Sequence, residues 1–232
     1  MKTIAVLLAC GVSLLAQNDG RVVGKPYSAT EVTRSQQTLA NGSHIDRTVT
    51  NFVWQDDQGR LRTELRDDRQ KAVIEDSVAK VVYSLDLKQK TVRKIEIRGA
   101  AAQKIAGDVN PLEQAKAQEQ ALAKAGASQH RTVEDLGSQF INGVSALGVR
   151  ITTTIPVGAI GNDQELKSVT ERWYSNDIHA MVRTVTSDIR SGVNTFELTN
   201  IVRAAPDPAL FQVPAGFALI MPDGGPVSKP EE

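Results

Sequence analysis

Cysteine is almost absent from this chain: Cys10 is the only one in 232 residues. A disulfide framework needs pairs of thiols, and a cysteine-based zinc site needs several, so both are excluded. Aromatic residues amount to 4%, which leaves the core to Val, Ile, Leu and Ala. No charge of either sign prevails, with 27 Lys+Arg against 27 Asp+Glu. A nucleic-acid binder carries a basic excess to neutralise phosphates, so none is expected as a partner. Reactive motifs are missing too. No serine stands in a GxSxG elbow, and there is neither a GxxxxGK[ST] loop nor a GxGxxG turn after a strand. His44, His130 and His179 are isolated in sequence and read as surface side chains. The carboxylate pairs Asp56-Asp57, Asp67-Asp68, Glu75-Asp76 and Glu134-Asp135 are adjacent. On a strand, neighbours point to opposite faces, so none forms an acid/base dyad. No catalytic residue, metal ligand or cofactor is expected, and the chain reads as non-enzymatic.

What is present begins with an export segment. Met1-Lys2 gives a short positive start, and Thr3 to Ala16 follows without a charge. This run is shorter than the roughly twenty apolar residues that span a bilayer as a helix. Its length and flanks are those of a secretory signal peptide at 1–16, with a linker at 17–26. The expected location is periplasmic or secreted, with no transmembrane segment in the mature chain. Leu7-Leu8-Ala9-Cys10 has the form of a lipobox, but too few apolar residues precede it for a full signal core, which disfavours lipid anchoring at Cys10 without excluding it.

From Tyr27 the pattern is one of strands and tight turns. Asn41-Gly42 and Asn142-Gly143 are hairpin signals, because paired turn residues there take positive φ. Leu61, Thr63 and Leu65 alternate with Arg62, Glu64 and Arg66, as on a half-buried strand. Arg60, Arg62, Arg66 and Arg69 form a basic stripe that reads as a solvated face. Val78 to Leu87 and Thr91 to Ile97 continue a meander. Val149, Ile151, Thr153 and Ile155 alternate strictly in a second β-block, and Trp54 and Trp173 read as core. Strands recurring about every ten residues mean an antiparallel sheet or barrel, not βαβ units.

Residues 99–129 interrupt this rhythm, with a helical insertion at about 108–126. Asn110 is placed to cap it, Pro111 to open it and Gly126 to follow it. Its only large apolar residues are Leu112 and Leu122, so its buried face is poor. It reads as a mobile surface insertion, with a lid over an opening as the alternative. Pro206-Asp207-Pro208-Ala209-Leu210-Phe211 suggests one helical turn with Phe211 under the sheet. Residues 27–220 form one β-rich domain, and 221–232, rich in Pro, Gly and charge, form a disordered tail.

Leu136-Gly137, Ile141-Asn142-Gly143-Val144 and Val149-x-Ile151-x-Thr153 resemble the central hairpin of LolA/LolB-like envelope proteins. Glu171-Arg172-Trp173-Tyr174-Ser175, Thr199-Asn200-Ile201 and the stretch from Asp207 to Phe217 resemble the end of secreted bacterial proteins. The likeness covers about residues 130 to 218. It implies an open antiparallel β-barrel or half-barrel, mainly β, with one helical insertion.

The function expected first is an exported binding module for a hydrophobic ligand, an acyl chain or a hydrophobic peptide. Parity nominates Val81, Tyr83, Leu85, Ile151 and Trp173 as lining its cavity. Two alternatives stay open. One is an envelope interaction or sensor protein that binds another protein through its sheet, and the other is an enzyme with an unrecognised site.

Overall fold

A computed structural model describes residues 25–67, 70–97, 108, 110–126 and 130–220. The expected signal segment with Cys10, the expected C-terminal tail and Arg69 lie outside these residues.

Twelve strands form a single sheet. They are β1 Tyr27–Thr38, β2 His44–Gln55, β3 Leu61–Leu65, β4 Lys71–Asp76, β5 Val81–Asp86, β6 Thr91–Glu96, β7 His130–Ile141, β8 Val144–Ile155, β9 Leu166–Ser175, β10 Ala180–Asp188, β11 Gly192–Val202 and β12 Ala218–Ile220. Their spatial order is β12-β6-β5-β4-β3-β2-β1-β11-β10-β9-β8-β7. The first and last strands are not neighbours, so the sheet is open rather than closed into a barrel. All pairings are antiparallel except β12 on β6. Among the described residues one α-helix, α1 Pro111–Lys124, is inserted between β6 and β7.

Turn chemistry sets the hairpins. At Asn142-Gly143 both residues have positive φ, 48° and 92°, and Ile141 pairs directly with Val144. This is a two-residue turn with the twist that suits antiparallel strands. The Asn41-Gly42 loop is longer. Only Gly42 turns left-handed there, and Leu39 N–H donates to the Ser43 carbonyl. Val78, expected on a strand, lies in the turn before β5 and is exposed. Asp76 Oδ1 accepts from the Val78 and Ala79 N–H groups and so ends β4.

The sheet buries different faces in different places. Directly opposed residues share a face. Leu85 opposes Ala72, Ala72 opposes Glu64, Glu64 opposes Phe52, and Phe52 opposes Thr30. On β4 that face carries the fully buried Ala72 and Ile74. On β2 the buried residues are Asn51, Val53 and Gln55, which belong to the other face.

The C-terminal segment explains the first choice. Asp207 caps a 3-10 turn, Pro208–Phe211, and Phe211 is buried. Val213 and Phe217 then pack on the cluster of Ala72, Ile74, Leu85 and Val92. Arg62 locks this segment down. Its guanidinium donates to the Leu210 carbonyl at 2.8 Å and pairs with Glu64 at 2.6 Å. Arg60 stacks over Phe211 and binds Asp56. The expectation of a solvated basic stripe therefore fails at Arg62, which is 5% exposed. A guanidinium is easily buried when its donors all find oxygen acceptors.

The larger core joins Tyr27, Ala29, Val53, Val144, Ala146, Trp173, Ile178, Val182 and Leu198. A bulge at Val182 shifts the β9–β10 register, and Val182 and Trp173 both pack in this cluster. The tip of the β7–β8 hairpin curls back to β11, where Asn142 Nδ2 donates to the Leu198 carbonyl at 2.7 Å.

Candidate binding face

Helix α1 marks the face of interest. Asn110 accepts from the Leu112 and Glu113 N–H groups, so the expected cap is formed. Gly126 follows with φ +68°. The helix rests on the sheet through its first turns. Ala115 packs on Val149 and Ile151, with Leu112 and Val133 beside them. Pro111 and Ala115 are its only buried residues.

Register extends this face across the sheet. Val149 opposes Arg172, then Thr184, Phe196, Thr33 and Val49. The next row runs Ile151, Thr170, Thr186, Asn194 and Ser35. A third row holds Thr153, Ser168 and Asp188. Away from the helix the first row is mixed, with Arg172, Phe196 and Val49 among its threonines, and the next two rows are mostly hydroxyls with one amide and one carboxylate. Some pair across strands, as Thr170 with Thr186 at 3.2 Å and Ser35 with Asn194 at 2.6 Å. Thr184 Oγ1 is buried with no partner among the described residues. The third row opens into a cleft of about 170 Å³ lined by Thr153, Ile155, Leu166, Lys167, Ser168, Asp188 and Arg190. Hydrogen bonding from Arg190 holds the Asp188 carboxyl down at about 2, against the opposing effect of burial.

At the other end of this strip lies an unusual pair. Glu31 and Asn51 are directly opposed, and both are buried, at 7% and 8% exposure. Asn51 Nδ2 donates to Glu31 Oε1 at 2.9 Å, while Asn51 Oδ1 has no partner among the described residues. Leu198 opposes Glu31 on the other side. Burial pushes the Glu31 carboxyl up, and the Asn51 hydrogen bond only partly offsets this.

The five nominated lining residues do not meet. Tyr83 and Leu85 belong to the cluster covered by Val213 and Phe217. Val81 is buried on the same face of β5. Ile151 lies under α1. Trp173 lies over Gly148, where an added Cβ would stand 2.5 Å from its ring. Thr30 shares its face with Val32, and Val32 leads through Glu197 and Arg183 to Trp173 and Gly148. Ile151, three residues on, is therefore on the face opposite Leu85. Parity identifies the inward set on each strand, but not what fills the space above it.

His44 and His130 are exposed as expected, but His179 is not. It is 5% exposed at positive φ, with Nε2 3.5 Å from Asp108 Oδ1. Burial lowers its basicity, and Lys25 adds to that effect. Among the described residues no three of His, Cys, Asp and Glu gather as a metal site would need. None of the described helices is long and apolar enough to cross a membrane.

No family model matches the sequence, and no curated protein does so. Similar solved structures include an uncharacterized conserved protein from Thermus thermophilus. It has 10% identity and a TM-score of 0.46, over 88% of this chain and 94% of that one. The MucA/MucB complex of Pseudomonas aeruginosa gives 15% identity and a TM-score of 0.44, over 85% of this chain. This chain spans 58% of that one. The LolA superfamily protein NE2245 from Nitrosomonas europaea gives 10% identity and a TM-score of 0.36, over 84% and 93%.

Proposed function

We propose that the chain is an exported, non-enzymatic binding module for an amphiphilic ligand with an acyl-like apolar part, taken up on the helix-bearing face. One observation carries this reading. Helix α1 covers the apolar residues Val149, Ile151 and Val133 with little more than Leu112 and Ala115, beside rows rich in hydroxyls. A helix held by so few apolar contacts is easily displaced, since each buried methylene is worth only about 0.8 kcal/mol. An acyl chain entering under α1 would replace those contacts, and Thr184, Thr170 and Thr186 would line its path across the sheet toward β1.

The test is native mass spectrometry of the protein recovered from its own envelope, with titration of a fluorescent fatty-acid analogue. A co-purifying lipid mass and saturable probe binding support the reading. A bare chain in repeated preparations, together with no probe binding, would refute it.

A second reading is strand addition by a peptide at the edge strand β7. Its support is an edge of 12 residues with Phe140 exposed by 74%. Against it stand the bulge between Asp135 and Gly137 and the charges of Glu134 and Asp135, which are the usual defences of an edge.

A further inference from the structure

We infer that Glu31 and Asn51 form the head-group subsite of this face and select a primary ammonium group. The inference rests on the binding function proposed above and names the ligand class.

The chemistry of the pair is one-sided. Glu31 Oε1 already accepts from Asn51 Nδ2. What the pair still offers is acceptors: Asn51 Oδ1, buried and unpartnered among the described residues, and the remaining capacity of a carboxylate that accepts a single bond from Asn51. An ammonium group has three donors and no acceptor, and so complements this set. A carboxylate or phosphate head would face only like partial charge.

The surroundings make the point stronger. Along the strands the neighbours of the pair on this face are Ala29, Thr33, Val49 and Val53. Across the sheet they are Leu198 and Leu65. No Lys, Arg or His among the described residues pairs with Glu31. Buried carboxylates are ordinarily matched by a cation or several donors, because desolvation is costly. Here the match is a single neutral amide. A structural pair would be complete within the chain, whereas among the described residues this one has acceptor capacity to spare.

Position agrees with the chemistry. Glu31 and Thr33 are successive on this face of β1, and Thr33 begins the row that leads through Phe196 and Thr184 to Arg172 and Val149. A ligand with its head at Glu31 can run along that row toward α1; Val149 lies four strand spacings, roughly 19 Å, away, and a decyl tail covers the β1 end of the row.

The experiment compares decylammonium, decanol and decanoate, each below its micelle concentration, by calorimetry on the wild type and on Glu31→Gln and Asn51→Leu. The wild type should bind decylammonium at least about tenfold more tightly than decanol, the worth of a charge-assisted hydrogen bond. It should bind decanoate more weakly than decanol. Glu31→Gln should abolish the ammonium preference and leave decanol binding in place. Circular dichroism of both variants checks that they fold. If decanol binds but decylammonium has no advantage, or if Glu31→Gln keeps that advantage, the head-group inference is overturned and the binding face stands. If none of the three binds, the binding face itself falls.

Discussion

The meander β3 to β6 and the long strands β1, β2 and β7 to β11 belong to one sheet, yet they are finished differently. The meander buries Ala72, Ile74, Leu85 and Val92 under the C-terminal segment of the same chain. Its buried polar group, Arg62, has its partners. The long strands bury the opposite face at β2, and there Asn51 Oδ1 and Thr184 Oγ1 are left without partners among the described residues. The meander satisfies its buried polar group within the chain, and the long strands leave open the atoms that the proposed ligand would use.

The largest effect should come from the meander. Phe211→Ala removes a ring that is 3% exposed and should cost about 3–5 kcal/mol in urea unfolding. A loss under about 1 kcal/mol would mean that the segment after Asp207 does not hold the meander. Gly148→Ala should come next. The new methyl meets Trp173, so the cost should be about 1–3 kcal/mol, accompanied by a change in tryptophan fluorescence. An unchanged spectrum would show that Trp173 has room to move.

Glu31→Gln tests the long-strand half and should stabilise it. Burial raises the folded carboxyl above its ordinary 4.5. The ionised form is therefore disfavoured in the folded state, and this penalty is present in full above the raised value. The melting temperature of the variant should exceed that of the wild type at neutral pH. The gap should narrow as the pH falls through the folded value toward 4.5. A gap that is constant with pH would mean that Glu31 is not strained. The smallest effect belongs to α1. Asn110→Ala should cost about 1 kcal/mol locally, seen as faster hydrogen exchange in the helix with the global melting temperature unchanged. A fall in global melting temperature would mean that α1 is part of the core and not a cover.

Much of the architecture is legible where local chemistry decides. Asn142-Gly143, the Asn110-Pro111 start of α1 and the buried Phe211 each follow from backbone preference or from a punctuating residue. The site is less so, for a physical reason. Alternation tells which residues share a face but not what covers that face. It assigns Tyr83 and Leu85 to a cavity that Val213 and Phe217 fill. Glu31 and Arg62 escape it because charge suggests solvent. The one available sign is Glu31 on the same parity as Tyr27 and Ala29, a carboxylate in an apolar row. His179 escapes it because it sits at a positive-φ position next to the core residue Ile178, and nothing in the spacing of the histidines marks that.

The parallel seam between β12 and β6 has a bearing on when the molecule can close. Ile74 and Leu85 are synthesised early, but their covering residues, Val213 and Phe217, come near the end. Until Val213 and Phe217 arrive, the meander has nothing to shut against. Early collapse is delayed, and the nascent chain stays pliable for as long as it is incomplete.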